Sequence, residues 1–356
     1  MIFLGTAPVG ARIVRKAKQD MRRSTKAALL VVAALAAMAG VTSAPRTTPS
    51  DPPVSSEDPA PTVAVRSSTR GVVTVDLPGL GSPVEGGRPF NPGDQGESAE
   101  RLHQPAPAAP EAAPAEASPS TESVIGADGR TWLRGRTAAY PNSAIGRIDY
   151  RQGGRTYWCS GTLIDADTVL TAGHCVHDGL GSEEGWSSRV TFLPGVEGNT
   201  APFGTCGARE LLTLPGWYGQ GSEYQDLGVI QLNCAIGNTV GWFGYRAAAG
   251  RHGLDRVPVH LRGYPGDKVW GSLWTMRDRI AVSQAQMAFY AVDTYGGQSG
   301  SPVFNFRPCN GVRGPCILAV HAYGVHGNGP HRSLNHGPRL DEARVALIDV
   351  LAAATS

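Results

Sequence analysis

The sequence predicts an all-β domain of two packed six-stranded antiparallel barrels with a C-terminal helix, preceded by a long leader that is mostly disordered. Three observations point there. Residues 45–122 hold 15 of the 27 prolines, mixed with many Ala, Ser and Glu. From Ser123 onward the text changes to short apolar segments broken by Gly, Pro, Asn and Asp, the pattern of strands joined by turns. Helical periodicity is confined to the end, and the 234 residues from Ser123 to Ser356 suit two such barrels and one helix.

At the start of the chain, Arg22, Arg23 and Lys26 precede an apolar run from Ala27 to Val41, with small residues Thr42 and Ala44 where a signal peptidase would cut. Residues 1–44 therefore read as a signal peptide, beginning at Met1 or at Met21. The run is about 15 residues, short of the roughly 20 that span a bilayer, so no stable membrane association is expected. Residues 45–122 carry too few apolar side chains to offset the entropy of ordering, and read as a propeptide or linker. Residues 123–356 form the folded domain.

Export changes the reading of the six cysteines, all of which follow residue 158. Outside the cell an even number of thiols implies disulfides. Cys159 and Cys175, Cys206 and Cys234, and Cys309 and Cys316 each lie close in sequence, so three local loops are the natural connectivity. No pair has the Cys-x-x-Cys spacing of a zinc site. The net charge of +2, with no basic run in the second half, gives no sign of a nucleic-acid partner. The protein is expected to be a secreted, extracellular monomer.

Nine strands can be named: 143–150, 157–164, 168–171, 189–193, 227–232, 257–262, 286–292, 302–305 and 316–321. Val257, Val259 and Leu261 alternate with Pro258, His260 and Arg262, as a half-buried strand should. Leu340, Arg344, Leu347 and Leu351 recur near the helical period, with Asp341 and Glu342 at the positive N-terminal end. That helix is expected to cap the second barrel.

Three segments carry chemistry. Thr171-Ala172-Gly173-His174-Cys175 follows Cys159-Ser160-Gly161, and a disulfide from Cys159 to Cys175 would pin the loop that holds His174. In Gln225-Asp226-Leu227-Gly228-Val229-Ile230 an acidic residue leads directly into an apolar strand; such a carboxylate can accept the Nδ1 proton of a histidine and set its tautomer. In Asp293-Thr294-Tyr295-Gly296-Gly297-Gln298-Ser299-Gly300-Ser301-Pro302 the glycines permit a tight turn, so that the N–H groups of Gly297 and Ser299 converge on a substrate oxyanion. Taken singly, each has a bland reading as a structural histidine, a solvated carboxylate or a plain turn.

In the order His, Asp, Ser these segments resemble the chymotrypsin-like serine proteases, and four features resemble the bacterial glutamyl endopeptidase (V8-like) branch. Ser123-Val124-Ile125-Gly126 is similar to a mature amino terminus of bacillus-type members. Gly263-Tyr264-Pro265-Gly266-Asp267-Lys268, with Trp274 after it, resembles a segment widespread in the branch. Gly296 to Pro302 is similar to its serine motif, and Val320-His321 stands where its specificity histidine is expected. The resemblance spans Ser123 to Ser356 and makes the domain a serine protease released from a zymogen.

The resemblance implies that Ser299 attacks the scissile carbonyl, His174 takes and returns the proton, Asp226 stabilises the imidazolium, and Gly297 and Ser299 form the oxyanion hole. No metal or other cofactor is implied, and the partners are protein or peptide substrates. It further implies cleavage after Glu, with Thr294, His321 and the α-amine of Ser123 binding the substrate carboxylate. Two features complicate it. Gln298 stands where trypsin-like enzymes carry an Asp that receives the new N-terminal amine, so activation must differ. Asp293 lies where trypsin-like enzymes place the acid selecting Arg or Lys, which leaves cleavage after those residues as an alternative; an inactive exported binding protein of the same fold is another. His321, His326, His331 and His336 recur every five residues, but the surrounding Gly and Pro suggest loop in place of a metal site. Glu122 precedes Ser123, so an enzyme preferring Glu could remove its own leader.

Overall fold

A computed structural model describes residues 62–76, 86–95, 116–117, 124–326 and 331–353. The expected signal peptide and Ser123 lie outside the described residues. Strands β1 (Thr62–Ser67), β2 (Gly71–Asp76), β3 (Glu116–Ala117) and β4 (Thr131–Trp132) precede the first barrel. That barrel is built from β5 (Ile145–Gln152), β6 (Arg155–Leu163), β7 (Thr168–Thr171), β8 (Ser188–Pro194), β9 (Cys206–Thr213) and β10 (Gly228–Leu232). Its strand order, β10-β7-β6-β5-β8-β9, is closed by pairing of β9 with β10. Each of the six strands thus has a neighbour on both sides, although β8 reaches β9 only at Cys206 and Gly207.

The short β11 (Gly244–Tyr245) leads to the second barrel: β12 (Pro258–Gly263), β13 (Trp274–Ser283), β14 (Met287–Tyr290), β15 (Pro302–Asn305), β16 (Cys316–Val320) and β17 (Asn335–Pro338). The order β16-β15-β12-β13-β14-β17 is brought round by single bridges, Ala319 to Arg339 and Tyr323 to His336. Alternation holds where the sequence shows it: Val259 and Leu261 of β12 are buried between a half-buried His260 and an exposed Pro258. Ile148, Leu163, Val169, Phe192 and Ile230 fill the first barrel; Leu261, Ile280, Tyr290, Val303 and Leu318 fill the second. Disulfides join Cys159 to Cys175, Cys206 to Cys234 and Cys309 to Cys316.

Helices α1 (Pro215–Gln220), α2 (Gly237–Val240) and α3 (Glu342–Ala353) sit outside the barrels. The last does not simply cap the second barrel. It starts there, where Leu340 N–H donates to Leu318 O (2.8 Å), and crosses to the first, where Gln231 Nε2 of β10 donates to Leu351 O (3.2 Å). Leu347, Ile348 and Leu351 meet Leu212, Leu214 and Val229 there. The apolar face of the helix therefore bridges the two halves that must be held in register for a site between them.

Part of the leader is built into this architecture. β1 and β2 form a hairpin, and Arg66 and Ser67 of β1 pair with Thr213 and Leu212 of β9. Val65 is buried among Leu212, Leu214, Leu347 and Leu351. The Arg70 guanidinium grips Glu210 through two N–H bonds of 2.8 and 2.9 Å, and Ser67 Oγ donates to the same carboxylate. Further on, Phe90 stacks on Trp242 at 4.2 Å and exchanges two backbone hydrogen bonds with it. Composition gives low weight to this stretch because prolines surround it; the alternation of Val63 and Val65, then Val73 and Val75, about the turn at Gly71 supplies what the average conceals.

Candidate active site

β7 delivers the chain to Ala172, and the 3-10 turn Gly173–Cys175 then presents His174, tied back to β6 by the Cys159–Cys175 disulfide. Asp226 leaves the 3-10 turn Glu223–Gln225 immediately before β10, which pairs with β7. Strand pairing thus brings the two together. Asp226 is fully buried; its Oδ2 lies 2.7 Å from His174 Nδ1, and its Oδ1 accepts the backbone N–H of His174 at 2.7 Å. A Cβ on Gly173 would stand 2.8 Å from Asp226 Oδ1 and 2.9 Å from the Trp217 ring, so a glycine is required for this approach. Trp217 and Tyr323 flank the imidazole, each 6.0 Å away. Burial, with the Asp226 and Glu223 carboxylates adding, pushes the Tyr323 phenol well above its ordinary range.

Ser299 belongs to the loop between β14 and β15 in the other barrel. Gly297 and Gly300 adopt φ of +96° and +84°, and a Cβ on Gly300 would overlap Ser160 O and Thr171 Oγ1, both at 2.1 Å. Thr171 ends β7, so the serine loop is seated on the strand that carries His174. Ser160 fastens it further, its N–H donating to Ser299 O (2.8 Å) and its Oγ to Gly297 O (2.9 Å). The N–H groups of Gln298, Gly300 and Ser301 donate to Tyr295 O, His321 O and Gln298 O. Those of Gly297 and Ser299 make no hydrogen bond among the described residues. Two donors within one tight turn are thus left available.

Asp293 is buried, and its carboxylate is occupied: Oδ1 accepts Ile125 N–H at 2.7 Å and Oδ2 accepts Gly129 N–H at 2.8 Å. It faces the segment after Ser123 and is satisfied there. Thr294 has a buried hydroxyl with no partner among the described residues. His321, on the chain just after β16, is buried and its Nδ1 lies 2.9 Å from the Tyr290 hydroxyl. Burial pushes its imidazole down to about 3, with His336 and His174 adding repulsion, so the ring is neutral at ordinary pH. Burial also holds the Tyr290 phenol far above its usual range. A hydroxyl donating to Nδ1 leaves the ring proton on Nε2, which makes no hydrogen bond among the described residues.

Sequence reasoning missed the brace behind the serine. Arg130 is buried and reaches Asp267 (3.0 Å), Asp128 (2.9 Å) and the Gln298 side-chain oxygen (3.4 Å), which also accepts Tyr295 N–H (3.0 Å). Burial disfavours the charged guanidinium, but its bonds to Asp128 and Asp267 outweigh this and raise it above the usual arginine range. The segment Gly263–Lys268 completes the brace, with Gly266 N–H donating to Gly296 O (2.7 Å) and Tyr264 O accepting from Trp158 Nε1 (2.9 Å). Gln298, a neutral residue where an acid is usual, was the available signal that another cationic partner was needed.

Comparison with known proteins follows the same lines. The family model for trypsin matches residues 133–328. The glutamyl endopeptidase of Bacillus licheniformis is 41% identical over 228 residues, covering 64% of this chain and 68% of that protein. An extracellular metalloprotease of Bacillus subtilis is 36% identical over 205 residues, 57% of this chain and 63% of that protein. The chain thus spans about two thirds of the length of these two relatives. A solved structure of a Glu endopeptidase superposes with a TM-score of 0.54 at 30% identity, over 65% of this chain and 99% of that one.

Proposed function

The chain belongs to the trypsin family of serine proteases, and from that premise we propose that it is a secreted endopeptidase that cleaves preferentially after Glu through His174, Asp226 and Ser299. His174 Nε2 removes the proton as Ser299 Oγ bonds to the scissile carbonyl carbon. The oxyanion that forms is taken by the N–H groups of Gly297 and Ser299. The C–N bond then breaks as His174 returns the proton to the leaving amine; water, giving its proton to His174, next bonds to the ester carbonyl carbon of the acyl-enzyme, and the Ser299 Oγ–C bond breaks as that proton returns to Oγ, releasing the carboxylic acid. Asp226, held by two contacts to His174, keeps the imidazole in the required tautomer.

The observation that carries the preference for Glu is the division of labour before the serine. The Asp293 carboxylate is spent on two backbone N–H groups, whereas the Thr294 hydroxyl is buried without a partner among the described residues and His321 offers a neutral N–H. Two neutral donors without an adjacent free carboxylate suit an acidic side chain and do not suit Arg or Lys. The name of the B. subtilis relative points to metal chemistry, but the sulfurs nearest His174 are joined to each other and are not available as ligands.

Digestion of a peptide library by the secreted protein, read by mass spectrometry, tests the reading. Cuts cluster after Glu and disappear in Ser299→Ala. Cuts clustering after Arg or Lys, or surviving in that variant, would overturn it.

A further inference from the structure

We propose that Glu223, His326 and His336 form a binding site for a divalent transition-metal ion such as zinc, beside the catalytic cleft and separate from the serine chemistry. Two of the four histidines spaced by five residues meet here. His321 is engaged with Tyr290 and His331 lies against Phe289, but His326 and His336 stack at 5.0 Å and both turn Nε2 toward Glu223. His326 Nε2 is 2.8 Å from Glu223 Oε1, and His336 Nε2 is 3.7 Å from Oε2. One ligand atom from each residue lies within 4.8 Å of the others. Zinc bonds of about 2.0–2.2 Å place neighbouring tetrahedral ligands about 3.3 Å apart, which these separations bracket.

The far side of each ring strengthens the inference. His326 Nδ1 lies 3.0 Å from Gly324 O and His336 Nδ1 lies 3.3 Å from Leu334 O. A ring that donates Nδ1–H to a carbonyl has its lone pair on Nε2, the arrangement by which metal-ligating histidines are oriented. Two such lone pairs and a carboxylate then face one another, and either a proton on Nε2 or a metal ion between the three groups relieves that juxtaposition. Two neutral imidazoles and one carboxylate are the donor types zinc accepts, with a fourth position left for water. His336 is almost fully buried, whereas the His326 and Glu223 side chains are 31% and 44% exposed, which gives an ion a route in from solvent. Tyr323 stacks on His336 at 5.3 Å on one side and lies 6.0 Å from His174 on the other. An ion held there would tie the turn Glu223–Gln225, whose next residue is Asp226, to β17.

Cys159, His174 and Cys175 also lie close together, but their disulfide leaves His174 alone as a ligand.

The test uses the full chain carrying Ser299→Ala, without an affinity tag, so that neither self-cleavage nor activity enters the readout. Cobalt chloride is titrated in and followed by visible absorption, and the melting temperature is measured with and without zinc chloride. One equivalent of cobalt is expected to saturate an absorption that zinc displaces, and zinc is expected to raise the melting temperature. Both effects are lost in His336→Gln, His326→Gln and Glu223→Gln. If His336→Gln fails to fold, the other two variants, altered at more exposed positions, decide the matter. No saturable cobalt absorption in the parent, or absorption that survives His326→Gln and Glu223→Gln, would refute the site.

Discussion

Replacing His321 by Ala and, separately, Asp293 by Ala distinguishes the two residues that compete to define specificity. The His321 ring is neutral, and a hydrogen bond from its Nε2–H to a substrate carboxylate is charge-assisted, worth about 1.5–3 kcal/mol. Its loss is therefore expected to lower kcat/KM for a Glu peptide by about 10- to 150-fold and to leave a Gln peptide much less affected. Asp293 accepts hydrogen bonds from Ile125 and Gly129 N–H, so its removal leaves two partly buried donors to solvent, at no more than about 1 kcal/mol each. The expected result is a lower melting temperature with the ratio of Glu to Lys cleavage held within about twofold. The assay is kcat/KM on four peptides alike except for Glu, Asp, Gln or Lys before the cut, with the melting temperature recorded for each variant. A larger change in that ratio for Asp293→Ala than for His321→Ala would refute the reasoning, as would a parent enzyme that cleaves after Lys as fast as after Glu.

Gly300→Ala should lower kcat by about 100-fold, since its Cβ must displace the serine loop from Ser160 and Thr171, and a displacement of this kind is costly to catalysis; a kcat near that of the parent in a chromogenic assay would contradict the seating of the loop. His321 titrates near 6.5 when unfolded and near 3 when folded, so the unfolded chain binds the extra proton between those values, and stability that is full above 6.5 is lost as pH falls toward 3. The unfolding free energy from denaturant melts between pH 7 and 4 should accordingly fall less steeply in His321→Gln, by up to about 1.4 kcal/mol per pH unit. Breaking the Cys159–Cys175 bond by a double change to Ser should cost about 2–5 kcal/mol and abolish most activity, whereas the same change at Cys309 and Cys316 should leave more of it, as denaturant melts and rates will report. Ser299→Ala protein secreted from a protease-deficient host should keep the bond between Glu122 and Ser123, and an N-terminal sequence starting at Ser123 would show that another protease cuts there.

Much of this architecture is legible where local pattern and tertiary role agree. The strands 168–171 and 302–305 have the predicted bounds, and both flank chemistry. The misses share a physical cause. In Trp274–Ser283 three charged residues in a row face solvent and break the alternation, so the longest strand of the second barrel left no periodic trace. Ala208-Arg209-Glu210-Leu211-Leu212 favours helix locally, but pairing with β10 overrides that propensity. Asn335–Pro338 is composed of turn residues and is nonetheless a buried strand, because β14 supplies its hydrogen bonds. At the site, His174, Asp226 and Ser299 each announce themselves within a few neighbours. Arg130 does not, since it lies 168 residues from the Gln298 it braces and has meaning only beside it.

If the chain is cut before Ser123, the hairpin on β9 decides what surface the product presents. Cleavage severs one peptide bond but none of the contacts of Arg66, Ser67, Arg70 or Val65, so the hairpin can stay as a separate, non-covalent strand pair. Should it depart, Leu211, Leu212 and Thr213 lose backbone partners, the apolar floor beneath Val65 meets water, and Glu210 loses its cation. An uncovered strand edge flanked by apolar side chains is a template for pairing with another molecule. Domains refolded from residue 123 onward are therefore expected to precipitate at concentrations where the full chain stays in solution.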